Sequence, residues 1–149
     1  MIPPARPPLP ASDPSHSAAR EAGLGPVLLV DDDAAVRSVA RGMLERLGCQ
    51  VFVASDGLEA LELHRVERDR IRLVLLDLNM PGMDGAEVLH ELRRRDPCVK
   101  VVLTSGYAGL DFDERFQPGE LAGFLQKPYS LSALRAALRR LREIGHWPA

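Results

Sequence analysis

Asp77 stands at the end of the run Leu73-Val74-Leu75-Leu76, and Asp31-Asp32-Asp33 follow directly on Val27-Leu28-Leu29-Val30. Both apolar runs are short and uninterrupted, the pattern of strands buried on both faces, so each delivers carboxylates to the point where the chain leaves a sheet. In an open α/β sheet that end borders the crevice in which ligands bind, and an acid placed there is a candidate for chemistry. Three adjacent carboxylates repel one another. Exposure to water, helix capping or a cation relieves that repulsion, and hard oxygen ligands of this kind suit Mg²⁺. Asp33 also has an ordinary structural use, as the N-cap of the helix that follows.

The elements that would position these acids are legible along the chain. After Asp33 the apolar residues Val36, Val39, Ala40, Met43, Leu44 and Leu47 recur at helical spacing, and Gly48 closes the helix. Residues 50–54 read as a second strand, and Asp56 with Glu59 opens a second helix that runs to about Glu67. Pro81-Gly82 turns the chain after the Asp77 strand, and Asp84 with Glu87 reads as a capping box. It starts a helix over 86–95 that buries Val88, Leu89 and Leu92 before Asp96-Pro97 breaks it. A fourth strand over 99–103 leads to Thr104-Ser105-Gly106, a helix is expected over 107–117, and a fifth strand over 121–125 leads to Gln126-Lys127-Pro128. Ser130 caps a last helix with Leu131, Leu134, Leu138 and Leu141 inward and Arg135, Arg139 and Arg142 outward.

Five strands alternating with helices predict an α/β domain with a five-stranded parallel sheet and helices on both faces. A flavodoxin-like order, 2-1-3-4-5, fits best, because strands one and three then flank the switch point and bring Asp31, Asp32 and Asp77 together. At 149 residues and 46% hydrophobic content the chain suits one domain, with residues 1–25 as a tail and 26–149 as the folded unit. The tail holds half of the 12 prolines and too little apolar side chain to offset ordering, so it reads as disordered, with a proline-rich ligand for a partner as its functional alternative. The formal net charge of −2 argues against a general nucleic-acid or membrane surface. No apolar run approaches a membrane span of about 18 residues. Cys49 and Cys98 form no paired motif and read as small buried side chains in a reducing, cytoplasmic setting. His16, His64, His90 and His146 lack metal-ligand spacing and read as surface or tail residues.

Four motifs together carry a family resemblance: Val30-Asp31-Asp32-Asp33; Asp77 with Met80-Pro81-Gly82-Met83-Asp84-Gly85; Thr104-Ser105-Gly106-Tyr107; and Phe124-Leu125-Gln126-Lys127-Pro128. They fall at successive strand ends in the same order as in the receiver domain of two-component response regulators, and the resemblance covers roughly residues 26–144. The last two motifs are most similar to receivers fused behind hybrid histidine kinases.

The resemblance implies a role for each residue. Asp77 would be the phosphoacceptor, its carboxylate attacking a phosphoryl group carried by a phosphohistidine. Asp32 and Asp77, with the backbone carbonyl of Asn79, would hold Mg²⁺, and Asp31 would act partly through water. Lys127 would supply a point charge and Thr104 a hydroxyl donor to the phosphoryl group. Phe124 would turn inward as Thr104 moves, with Tyr107 a competitor for that role and a static core ring the bland alternative. A cis Lys127-Pro128 bond is also expected. The implied partners are a histidine kinase or phosphotransfer protein and an unidentified downstream protein. The expected 107–117 helix, the fifth strand and the last helix offer a surface for that protein or for a second copy in a homodimer.

The chain is therefore expected to be a signalling module rather than a conventional enzyme, catalysing its own phosphorylation and dephosphorylation. Two alternatives belong to other classes. A phosphorylation-independent pseudo-receiver would have lost its chemistry, whereas Asp31, Asp32, Asp77, Thr104 and Lys127 are all present. An aspartyl-phosphate phosphatase of the haloacid dehalogenase type would carry a second acid two residues after the nucleophile, where this chain has Asn79. A nucleotide-binding fold is weaker still, because no strand leads into a G-x-G-x-x-G or Walker turn.

Overall fold

The computed structural model describes residues 25–106 and 121–143. The tail, the expected 107–117 helix, Tyr107, His16, His146 and the Arg142 side chain lie outside the described residues. Strands β1 (Val27–Val30), β2 (Val51–Ala54), β3 (Leu73–Asp77), β4 (Lys100–Ser105) and β5 (Gly123–Gln126) form one sheet in the order β2-β1-β3-β4-β5. Every pairing is parallel, so the order and strand direction expected from the sequence are those observed. Helices α1 (Ala34–Arg46), α2 (Gly57–Val66), α3 (Gly85–Arg95) and α4 (Leu131–Glu143) cover it. The strand bounds differ from expectation mainly on β4 and β5, which start one and two residues later and end beyond the apolar runs, on Ser105 and Gln126.

Strand side chains alternate between two cores because successive residues point to opposite faces. Leu28, Val30, Val74, Leu76, Val101 and Leu103 pack with Ala60, Leu61, Val88, Leu89 and Leu92 of α2 and α3. Val27, Leu29, Leu73, Leu75, Val102 and Leu125 pack with Ala40 and Leu44 of α1 and Leu134, Leu138 and Leu141 of α4. Burying each such leucine is worth about 1.5–3 kcal/mol, so both faces of β1 and β3 are strongly specified. Their register sets the height of the acids: Val30 lies beside Leu76, and Asp77 lies beside Thr104.

The helix starts follow the capping chemistry. The Asp33 side chain accepts from the amides of Ala35 and Val36. Asp84 and Glu87 make a reciprocal capping box, and Ser130 Oγ accepts from the Ala133 amide. At α2 the Asp56 side chain takes the Glu59 amide, but Glu59 reaches back to Ser55 rather than to Asp56. Gly48 and Gly82 adopt φ of 87° and 75°, the left-handed region where a Cβ is strained.

Three side chains depart from the sequence expectation. Val39 is 59% exposed, because the buried stripe of α1 runs through Ala40, Leu44 and Leu47 and leaves Val39 at its edge. Cys49 is buried as expected, but Cys98 is exposed, carried outward in the short turn after α3. His64 is no surface residue: it is buried to 1% exposure, on the stripe it shares with Ala60 and Leu61. Its Nε2 lies 3.3 Å from Asp96 Oδ2, joining the ends of α2 and α3, while its Nδ1 has no hydrogen-bond partner among the described residues. Burial outweighs the Asp96 carboxylate and holds the imidazole below its ordinary pKa. His90 is exposed, as expected.

Candidate functional site

The carboxyl ends of β1, β3, β4 and β5 converge on one group of side chains. Asp31 and Asp77 are both 3% exposed, whereas Asp32 is exposed in the turn that follows β1. One carboxylate oxygen from each of the three lies within 4.8 Å of the others. Lys127, just beyond β5, extends its Nζ to 2.7 Å from Asp31 Oδ2 and 3.3 Å from Asp77 Oδ1. Its backbone is held there by the amide bond it donates to the Ser105 carbonyl at 2.7 Å, and the Lys127-Pro128 peptide is cis.

The electrostatics follow from burial. Desolvation pushes the Asp77 carboxyl from 3.8 up to about 6, against the attraction of Lys127 and with a further upward push from Asp31. Desolvation works against the Lys127 ammonium, but the hydrogen bond to Asp31 and the charge of Asp77 outweigh it and hold Lys127 above the ordinary lysine value. One ammonium thus faces three carboxylates. The donor set of hard oxygens and the incompletely compensated burial of Asp77 both fit a divalent cation, and Asp31, Asp32 and Asp77 are the side chains that could hold one. Tyr129, behind Lys127, is pushed up to about 12 by burial and by the two acids, and so remains a neutral phenol.

Among the described residues, the others singled out in the sequence have definite places. Thr104 is buried beside Asp77 on β4. Its carbonyl accepts from the Leu78 amide at 2.8 Å, which ties the chain leaving β3 to β4. Asn79 is exposed, and its amide donates to Asp77 Oδ1 at 3.2 Å. Phe124 is half-buried on β5 and packs against the core beneath α2 and α3.

Other contributors were not legible as site residues. Ser105 Oγ donates to Asn79 Oδ1 at 2.9 Å while its carbonyl holds Lys127, so one residue joins two loops of the site. Its place after Thr104 at a strand end was the available signal. Gly85 lets α3 start directly against the β3 end: a Cβ there would lie 2.6 Å from the Asp77 carbonyl oxygen and from Leu78 Cα. Arg37 Nη1 donates to the Asp31 carbonyl at 2.7 Å. Beside Lys127, an apolar groove of about 440 Å³ runs between α1 and the segment after β5, lined by Val36, Val39, Met43, Pro128 and Tyr129 among others.

Comparison with known proteins gives these features a context. The family model of the response regulator receiver domain matches residues 27–139. Sporulation initiation phosphotransferase F of Bacillus subtilis is 35% identical over 115 residues, covering 76% of this chain and 90% of that protein. The sensor kinase CckA of Brucella abortus is 37% identical over 121 residues, which cover 81% of this chain but only 13% of the kinase. Among solved structures, a receiver domain protein from Clostridium thermocellum superposes with a TM-score of 0.75 at 25% identity, covering 81% of this chain and 96% of that one. The response regulator TrrA of Thermotoga maritima, solved with Mg²⁺ and a beryllium fluoride, superposes with a TM-score of 0.69 at 26% identity, covering 79% and 99%. With its sheet order, its cluster of acids at the β1 and β3 ends and this family match in agreement, the chain belongs to the response regulator receiver domains of two-component systems.

Proposed function

We propose that this domain accepts a phosphoryl group on Asp77 from the phosphohistidine of a histidine kinase or phosphotransfer protein, with Mg²⁺, and signals through a downstream protein. The family is one of signalling modules rather than conventional enzymes. The observation that carries the reading is the convergence of Asp31, Asp32, Asp77 and Lys127 at one end of the sheet.

Asp32, Asp77 and the Asn79 carbonyl would hold the Mg²⁺, with Asp31 acting partly through water. Bound there, the cation supplies positive charge that offsets the carboxylates and the incoming phosphoryl oxygens. An Asp77 oxygen attacks phosphorus in line, a P–O bond forms as the P–N bond to the donor imidazole breaks, and the bonding electron pair leaves with the imidazole nitrogen. Lys127, which bridges Asp31 and Asp77 in the structure, shifts its ammonium toward the phosphoryl oxygens. Thr104 donates its hydroxyl to another of them, and the half-buried Phe124 follows into the space this opens. That movement alters β5 and α4, where exposed Arg135 and Arg139 offer charge to a downstream protein or to a second copy. The apolar groove beside Lys127 supports docking of the donor next to the reacting group. We place the domain in the cytoplasm, where the thiols of Cys49 and Cys98 stay reduced.

We favour this reading over the two alternatives: Asn79 stands where a phosphatase of the haloacid dehalogenase type would carry its second acid, and the clustering of Asp31, Asp32 and Asp77 with Lys127 supports retained chemistry rather than a pseudo-receiver. Intact-mass spectrometry after incubation with phosphoramidate and Mg²⁺ tests the reading. The expected result is the added mass of one phosphoryl group, lost in Asp77→Asn and on chelation, with Asp32→Ala requiring more Mg²⁺. Phosphorylation of Asp77→Asn at the wild-type rate, or indifference to chelation, would overturn it.

A further inference from the structure

Asp31 offers three acceptor atoms, and the fold uses each of them. Its Oδ2 takes Lys127 Nζ at 2.7 Å, its Oδ1 takes the Asp33 amide at 2.9 Å, and its backbone carbonyl takes Arg37 Nη1 at 2.7 Å. The Arg37 amide donates in turn to the Asp33 carbonyl at 2.8 Å. Residues 31, 33 and 37 therefore close a ring of three hydrogen bonds around Asp32.

The bond from Arg37 has a particular consequence. The Asp31 carbonyl belongs to the peptide that joins Asp31 to Asp32, and a peptide is planar, so fixing its oxygen fixes the direction in which the chain enters Asp32. The bond is charge-assisted and hence shorter and stronger than a neutral one. Asp32 is exposed and sits in a turn, where its carboxylate would otherwise wander away from Asp77. We propose that Arg37 is a positioning residue for the cation site, holding the Asp31-Asp32 peptide so that the Asp32 carboxylate stays facing Asp77, even though its own positive charge opposes a cation. This rests on the Mg²⁺ reading above.

The two effects of Arg37 have opposite signs, and that makes them separable. Were charge alone at work, removing the guanidinium would tighten Mg²⁺ binding, because less positive potential would face the ion. Were positioning at work, removal would weaken it, as loss of an outer partner of a metal ligand does.

Isothermal titration of the full chain with MgCl₂ at neutral pH and low ionic strength decides between them. Arg37→Gln is expected to weaken Mg²⁺ binding about tenfold, the low end of what such outer partners contribute. Arg37→Lys keeps the charge but not the planar fork; it should show a smaller loss, and it serves as the test variant if the glutamine protein does not fold. Arg41→Gln, one turn further along α1 and paired there with Glu45, should stay within about twofold of wild type, since screening limits the reach of an exposed charge. Unchanged or tighter binding by Arg37→Gln, or by Arg37→Lys where that is the variant measured, would overturn the inference. So would an equal loss in Arg41→Gln, because general loosening of the helix would then explain both. A wild-type chain that takes up no Mg²⁺ would overturn the metal reading itself, a result distinct from these.

Discussion

Replacing Asp77 by asparagine should make this protein more stable at neutral pH, although it removes the proposed phosphoacceptor. Asp77 is nearly inaccessible, and burial displaces its carboxyl from 3.8 to about 6. The folded state therefore binds the proton more tightly than the unfolded state, and ionising Asp77 at pH 7 costs folding free energy. At 1.36 kcal/mol per tenfold change in proton affinity, the displacement corresponds to about 3 kcal/mol. Asp77→Asn removes that cost but deprives Lys127 of one of its two carboxylate partners. The expected gain is about 1–3 kcal/mol, or roughly 3–10 °C in Tm. The sign has a pH signature. The carboxyl is protonated in both states below about pH 3.8, so the gap between variant and wild type should be small there, open between 3.8 and about 6, and stay constant above. Thermal melts of both proteins in EDTA across this range measure it, and adding Mg²⁺ should raise the wild-type Tm more than that of the variant. A less stable Asp77→Asn at pH 7, or a gap that does not change with pH, would refute the account of Asp77 as a carboxylate held charged against its burial.

Two further outcomes are expected. His64 has its pKa lowered in the folded state, so its contribution to stability is present above the ordinary value of 6.5 and lost as pH falls through the folded value. In an Asp77→Asn background, which removes the opposing trend, the unfolding free energy from urea melts should fall on acidification by at most about 1.4 kcal/mol per pH unit below 6.5, and His64→Phe should abolish that slope. Gly85→Ala would place a Cβ 2.6 Å from the Asp77 carbonyl oxygen, and backbone cannot yield cheaply. A loss of about 2 kcal/mol or more is expected, with slower phosphorylation as the β3 end shifts, and a melt and an intact-mass time course check both.

Much of the site was readable from residues that are local in sequence. The apolar runs of β1 and β3 end on acids, the capping residues Asp33, Asp84 and Ser130 start their helices where expected, and alternation with helices implied a parallel sheet. Those features depend on strand burial and helix-end hydrogen bonding, which operate within a few residues, so the residue types reveal them. The resemblance then marked Thr104, Phe124 and Lys127. Tertiary structure alone decided which groups touch. Lys127 pairs with Asp31 across 96 positions, and Ser105 reaches Asn79 across 26. Arg37 turns back onto a carbonyl rather than out to solvent. His64 is buried because α3 packs over the stripe it shares with Ala60, while Cys98, in a turn, faces out. The raised pKa of Asp77 belongs to the same class. Sequence placed carboxylates at the strand ends, but how tightly they are desolvated, and how far one lysine can compensate them, depends on distances that exist only once the sheet and both helix layers have closed.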